Sequence, residues 1–360
     1  MLENTYVFIL SNAKYDAPIE STGYTLAKHL SKNNRVFYIE YPATIKDYFR
    51  LKKSPEFKKK KDLFSESSDG LLNTKNPNLS ILITPLLLSI NFFPEGKLYR
   101  SLLRYNENKI VKRIQTILKK EKITDFIFIN SFNIHYPSIG SLLKPRLNVY
   151  HCVDPIIEDY DAKHGHVSEE IIIRECDLVV CTSRQLYLEK SEMHPYTYFI
   201  PNAADFRHSE KALQDSTPIY SELHHLKRPI VGYFGNIERR LDYKMIHEVM
   251  RMNLDKTFVF VGPVEPEFLK KISPSEIPNL KLISRVPYDE MPNVIKGFDV
   301  AIIPFKKDEV SYTIFPLKLF EYLGSGKPVV STNFNTHLNE FTFGTVPFCT
   351  NANEFSEAIN

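Results

Sequence analysis

Two successive sets of short apolar runs constrain this chain more than any other feature. The first set is YVFIL (6–10), RVFYIE (35–40), LSILIT (79–84), DFIFIN (125–130), LNVYH (147–151), DLVVC (177–181) and YFI (198–200), rich in β-branched and aromatic residues. Between them, STGYTLAKHLSK (21–32) and NKIVKRIQTILKKEK (108–122) carry apolar residues at helical spacing. Such alternation predicts a parallel sheet covered by helices on both faces. The pattern then restarts with PIVGYFG (229–235), TFVFVG (257–262), LKLIS (280–284), DVAIIPF (299–305) and PVVST (328–332). About a dozen strands are more than one open sheet usually holds, so the reading is α/β with two doubly wound, Rossmann-like domains. Residues 1–205 form the first domain, the polar and turn-rich stretch 206–228 a linker, and 229–360 the second domain. Ligands of such sheets sit at the carboxyl ends of the strands, so function is sought in the loops after them.

Other classes lose support. A net charge of +3 is too mild to imply nucleic acid. Cys152, Cys176, Cys181 and Cys349 form no CxxC pair and read as buried, reduced thiols of a cytoplasmic protein. MLENTYVFIL runs straight into a strand pattern without a basic leader, so no signal peptide is expected. No apolar run approaches the roughly 18–20 residues of a membrane span. Neither GxGxxG nor GxxxxGK[ST] follows any strand, so the dinucleotide and P-loop readings lose their main support.

FPLKLFEYLGSGKPVVST (315–332) reads as a short helix, a glycine break and a buried strand. Pro316 suits the first helical position, with Ser311 or Thr313 as a nearby cap. At about 100° per residue, Leu317, Leu319, Phe320 and Leu323 share one side, and Lys318, Glu321 and Tyr322 the other. A lysine in a first turn is unfavourable by about 0.3–1 kcal/mol unless an anion binds there. The pair therefore suits a phosphate on Lys318 and a hydroxyl on Glu321; the plainer alternative is an i,i+3 salt pair. In YFGNIERRLDYKMIHEVM (233–250) a strand ends at Gly235, and the next helix is capped by Asp242. The loop between them carries Asn236, Arg239 and Arg240, and an arginine fork there can clamp a diphosphate. The alternative is two surface arginines.

Taken together, VGYFGNIERRLD, FVFVGPV, LKLISRVPYDEMPNVIKGFDVAIIPF and PLKLFEYLGSGKPVVST occur in the order seen in GT-B fold glycosyltransferases of the large GT4-like group, and the chain resembles that group. NVYHCVD (148–154), ECDLVVCTS (175–183) and FIPNAADF (199–206) are similar to its hinge-side elements, so the likeness covers most of 145–335. The resemblance implies two Rossmann-like domains facing a cleft, with a nucleotide diphosphate sugar (UDP or GDP) held mainly by the second. Lys318 would then meet the diphosphate, Arg240 the phosphates and Glu321 the ribose. The backbone of Arg285, Val286 and Tyr288 would frame the base. Gly235, Asn236, Arg239, Thr313, Pro316 and Leu317 complete the donor set. No metal cofactor is expected, since lysine, arginine and helix amides supply the positive charge; DYD (159–161) reads as a helix-start or loop feature. Retaining members carry two glutamates with seven residues between them, and the first falls on Thr313, so inversion is favoured. GT-B chains usually finish with a helix that crosses back onto the first domain. This sequence stops at NANEFSEAIN, which implies truncation at the C-terminal end.

Transfer also needs a base. NVYHCVDPIIEDY puts His151 and Asp154 at or just beyond a strand's carboxyl end. Asp154 resembles the base of membrane-associated, inverting glucuronosyltransferases of the xanthan type, which carry a lysine in the equivalent helix. The alternatives are that Asp154 caps a helix beginning at Pro155 and that His151 is the base or a satisfied strand-end residue. His164 and His166 fall in an expected mobile loop without a role. Tyr15, Asp16, Glu20, Ser21 and Thr22, in the first loop, read as an acceptor wall. Lys52, Lys53, Lys58, Lys59, Lys60 and Lys61 lie around two phenylalanines, and ITPLLLSINFFPEG (83–96) adds Phe92 and Phe93. Each lysine near an anionic leaflet contributes roughly 1 kcal/mol; the alternative is a solvated, disordered loop. The expected protein is a cytoplasmic, peripheral-membrane glycosyltransferase using a glycan or lipid-linked acceptor for surface polysaccharide. Rival readings are a sugar-nucleotide epimerase and a non-catalytic nucleotide-sugar-binding protein.

Overall fold

The computed structural model describes residues 2–17, 20–157, 159–275 and 277–360. The chain divides into two compact units, Met1–Pro201 and Asn202–Asn360.

The first unit is built on eight strands: β1 (Tyr6–Ser11), β2 (Arg35–Ile39), β3 (Leu71–Asn73), β4 (Leu79–Leu82), β5 (Phe126–Ser131), β6 (Leu147–Cys152), β7 (Leu178–Cys181) and β8 (Thr197–Phe199). Their order is β3-β4-β2-β1-β5-β6-β7-β8. Every run read as a strand in this half is one. The sequence pattern missed β3, a three-residue edge strand antiparallel to β4. Its helices are α1 (Thr22–Leu30), α2 (Ile45–Leu51), α3 (Pro55–Lys60), α4 (Lys97–Lys120), α5 (Ile139–Leu143), α6 (Asp159–Glu175) and α7 (Arg184–Ser191). Alternate residues of the central strands enter different cores. Phe8, Leu10, Phe37 and Ile39 join one, while Val7, Ile9, Val36 and Tyr38 join the other. A period of two with both faces buried is what a doubly covered sheet requires.

The second unit has six parallel strands: β9 (Ile230–Phe234), β10 (Thr257–Val261), β11 (Leu280–Ile283), β12 (Val300–Ile303), β13 (Val329–Thr332) and β14 (Phe348–Cys349). The order β11-β10-β9-β12-β13-β14 reverses direction between β9 and β12. In open sheets of this kind such a switch point is where ligands bind, at the carboxyl ends of the two strands. The two-residue β14 was too short to leave a pattern. The helices are α8 (Phe206–Ser209), α9 (Tyr243–Met252), α10 (Met291–Lys296), α11 (Glu309–Tyr312), α12 (Leu317–Gly324), α13 (Asn339–Thr342) and α14 (Ala352–Ala358).

The stretch 206–228 is not a linker. It holds α8 and two 3₁₀ turns, and it buries His208, Ser209, Ala212 and Leu223. Its apolar positions are sparse enough to look like a connector, yet each has a specific seat. Leu223 packs so closely on α10's end that a β-carbon on Gly297 would lie 2.5 Å from it. Among the described residues no helix is long and apolar enough to cross a membrane.

Candidate functional site

In the second unit the loops after β9 and β12 are tied together across the switch point. The Lys306 amide donates to the Arg240 carbonyl at 2.8 Å and the Asp242 amide to the Pro304 carbonyl at 2.9 Å. The Asp242 side chain also caps α9 through the Met245 amide. Phe305, fully buried just beyond β12, is the floor of the site. The Lys318 ammonium lies 4.9 Å from its ring centre and 5.1 Å from that of Tyr233. The Arg240 guanidinium lies 5.8 Å from the same Phe305 ring. One aromatic ring thus has two cations near it, an arrangement that ring quadrupoles favour and like charges oppose. Burial and Arg240 push the Lys318 amine down to about 8, with Glu321 and Glu238 pulling the other way.

Lys318 does not form the i,i+3 salt pair with Glu321. Among the described residues no carboxylate lies within ion-pair distance of its ammonium, and no oxygen accepts a hydrogen bond from it. It stands instead against Gly235, where a β-carbon would come 3.1 Å from Nζ. Gly235 has φ 152°, a conformation that glycine adopts freely. Arg240 is not a plain surface arginine: its Nε donates to the buried Glu238 carboxylate. Asn236 gives its carbonyl to the Tyr233 hydroxyl at 2.9 Å, and Arg239 is exposed.

Helix α12 differs in detail from its sequence reading. Pro316 is the N-cap, and no side chain caps the helix. Ser311 and Thr313 serve α11 instead: Asp308 caps the Ser311 amide, and the Thr313 hydroxyl donates to the Val310 carbonyl at 2.7 Å. Tyr322 is not on the open side. It is fully buried with Leu319, and its hydroxyl accepts the Phe234 amide proton at 2.8 Å. Leu317, assigned to the packed side, is 38% exposed. The inner face centres on the i,i+3 pair Leu319–Tyr322, because tyrosine buries its ring once its hydroxyl finds a strand-end partner. Glu321 accepts from the Tyr288 hydroxyl at 3.0 Å. Burial raises its carboxyl, against the pull of Tyr288 and Lys318. Val286 is buried and Arg285 exposed, in the extended stretch before Tyr288.

In the first unit, His151 is buried at the end of β6, its Nδ1 3.1 Å from the Ser131 hydroxyl. Burial pushes it down to about 4, so the ring is neutral at pH 7. Asp154 is exposed in the bend beyond β6. It does not cap a helix at Pro155: residues 155–157 are non-helical, and α6 starts at Asp159. DYD therefore opens α6, and Asp161 pairs with His135 at 3.2 Å; the Asp159 side chain lies outside the described residues. His164 and His166 belong to α6 rather than to a mobile loop. His164 is buried, stacked on Tyr99 at 3.6 Å and 2.8 Å from Glu95.

The expected acceptor wall is largely engaged in local structure. The Ser21 hydroxyl caps α1 through the Tyr24 amide, and Thr22 is the first residue of that helix. Asp16 binds Lys60 at 3.0 Å, and Tyr15 lies under the same ammonium at 4.6 Å. Lys60 is therefore not part of a surface charge cluster. It is 2% exposed and also donates to Glu40 at 2.8 Å. Helical spacing explains this: Phe57 and Lys60 are i,i+3 neighbours on the inner face of α3. The lysine run is a helix, not a disordered loop.

Residues 228–360 match the family model described as glycosyl transferases group 1. Over 216 residues the chain is 29% identical to the Bacillus subtilis (strain 168) protein named as teichuronic acid biosynthesis glycosyltransferase TuaH. That match spans 55% of this chain and 53% of the relative. Sucrose-phosphate synthase (tll1590) from Thermosynechococcus elongatus is similar in structure, with TM-score 0.66 at 13% identity, over 99% of this chain and 89% of that one. Anabaena Alr3699/HepE in complex with UDP aligns with TM-score 0.61 at 12% identity, over 99% and 89%. These likenesses establish a GT-B fold.

Around the switch point of the second unit, sequence reasoning missed Glu238, Tyr233, Phe305 and His208. Glu238 lay in plain view in NIERR, two residues from the arginine it holds. The aromatic floor and His208 left no local signal, because their contacts cross from one loop or helix to another.

Proposed function

We propose that this chain is a glycosyltransferase that takes a sugar from a nucleoside diphosphate sugar, UDP- or GDP-linked, and passes it to a glycan or lipid-linked acceptor in surface polysaccharide assembly. The observation that carries the reading is the Lys318 ammonium, set over two rings beside Arg240 with no carboxylate among the described residues within ion-pair distance. A diphosphate supplies an anion there. Lys318, Arg240 and the uncapped amides of α12 then stabilise the leaving group as the bond between the sugar's anomeric carbon and the diphosphate breaks, without a metal. Support for a uridine nucleotide comes from the complexes of Anabaena Alr3699/HepE with UDP and with UDP-glucose; support for a surface polysaccharide comes from the TuaH name.

In this reading Asp154 is the base. It takes the acceptor hydroxyl's proton as that oxygen bonds to the anomeric carbon, and the sugar is inverted. His151 fits the satisfied alternative, with one ring nitrogen on Ser131 and a depressed proton affinity. Inversion draws support from Thr313, whose hydroxyl is turned to its own helix and which puts no carboxylate in that position. Lys318→Ala is expected to weaken nucleoside diphosphate binding tenfold or more, about 1.5–3 kcal/mol for a charge-assisted contact. Asp154→Asn should stop transfer and spare nucleotide binding. Unchanged calorimetric affinity in Lys318→Ala removes the donor reading, and normal turnover in Asp154→Asn removes the base.

We also propose a cytoplasmic protein held at the inner, anionic face of a membrane. Lys52, Lys53, Lys58, Lys59 and Lys61 are exposed. Helix α2 packs Tyr48 and Leu51 inward, while Ile45 and Phe49 point outward, 42% and 66% exposed. Its start is bonded to the stretch that carries Phe92, through the Ile45 amide on the Leu87 carbonyl and the Lys46 amide on the Ser89 hydroxyl. Phe92 is 71% exposed. An outward apolar stripe flanked by cations suits the interface of an anionic bilayer.

A further inference from the structure

The Tyr288 side chain is held from two directions. Its ring lies on the His208 imidazole, with centroids 4.6 Å apart and planes 22° apart. His208 Nε2 donates to the Tyr288 carbonyl at 2.9 Å. His208 is buried in α8, and α8 is in turn fastened to α12. The Ser325 hydroxyl donates to the Ser209 carbonyl at 3.2 Å, and a β-carbon on Gly324 would lie 3.1 Å from that of Ser209. Helix α8 is thus a brace between the loop that carries Tyr288 and the helix that carries Glu321. The phenol so placed donates to Glu321 Oε1 at 3.0 Å.

A glutamate's terminal torsion is broad, so a partly open carboxylate samples many orientations unless something holds it. A donor on Oε1 sets its plane and leaves Oε2 for a second donor. It also favours the ionised form, which only accepts hydrogen bonds and so selects hydroxyl partners. Resting on the donor reading above, we propose that Tyr288, braced by His208, is a positioning residue that aims the Glu321 carboxylate at the ribose hydroxyls of a nucleoside diphosphate.

Calorimetry on the full chain tests this with UDP and GDP beside their 2′,3′-dideoxy forms. Tyr288→Phe is expected to weaken the ribonucleotide about three- to tenfold, the net weight of one hydrogen bond, and to leave the dideoxy form unchanged. His208→Leu, which keeps the phenol but removes the brace, shifts the ribonucleotide in the same direction. In a Glu321→Ala background Tyr288→Phe adds nothing. Tyr288 is half-exposed, so the Phe variant should melt with the wild type. Equal weakening of both nucleotide forms would make Tyr288 a general wall, and unchanged or tighter ribonucleotide binding would make it a bystander or a competitor; either result overturns the proposal. A wild-type chain that binds none of these nucleotides overturns the donor reading itself, and the inference with it.

Discussion

At the scale of the residue, the proposed binding of a diphosphate turns on the charge of Lys318. Its amine titrates near 8 rather than at the ordinary 10.5, chiefly because burial disfavours the charged form. A bound diphosphate favours the ammonium and raises that value again. Affinity should therefore be level below pH 7 and fall above pH 8, by about tenfold per pH unit while one proton is taken up on binding. Folding has the opposite sign. The unfolded lysine keeps its proton up to 10.5, so the ligand-free chain should gain stability from this group between pH 8 and 10.5. Calorimetry in buffers of differing ionisation enthalpy reads the proton uptake, and Lys318→Met should abolish both dependences. A pH-independent wild-type affinity would show that the amine is not where the anion binds. Lys318 drew attention in the sequence because a basic residue in a helix's first turn is locally anomalous. That Glu238 holds Arg240, and that Tyr322 turns inward, depended on partners no spacing rule contains.

At the scale of the element, two strand ends shape the loop of Gly235 and Asn236. Gly262, after β10, has φ 146°, and a β-carbon there would lie 2.1 Å from the Gly235 carbonyl. Neither the contact nor the backbone angle tolerates a side chain. Gly262→Ala should therefore push the loop of Gly235 and Asn236 out of place, lowering the melting temperature through a strain of about 1–3 kcal/mol and weakening nucleotide binding together with it. Wild-type binding in a folded Gly262→Ala chain would show that the loop does not shape the site. The strand runs and the longer helices were readable because periods of 2 and 3.6 are written locally. The two-residue β14 and the turns of 206–228 were not, since too few residues repeat to set a period.

At the scale of the whole molecule, the membrane proposal can be localised. Phe49→Ser with Phe92→Ser should cut co-sedimentation with phosphatidylglycerol vesicles by at least about tenfold, given what burying a phenylalanine contributes. Replacing Lys52, Lys53, Lys58, Lys59 and Lys61 by serine should do the same in low salt only. Lys60 is left in place, because removing it strands Glu40 and Asp16. Vesicle binding unaffected by both sets would move the contact elsewhere or remove it.

The sequence alone determined that the chain is α/β, that its sheet pattern starts twice, and which loops follow the strand ends. Hydrophobic periodicity and glycine breaks are properties of neighbours in the chain, so they survive being read in one dimension. Only the tertiary structure decided which groups meet. Tyr288 reaches Glu321 over 33 residues, His208 reaches Tyr288 over 80, and Lys60 turns inward to Asp16 over 44. Such pairs exist because packing brings distant segments together and leaves a buried polar group no solvent to bind. The partner is then set by the surroundings rather than by the residue's own place in the sequence.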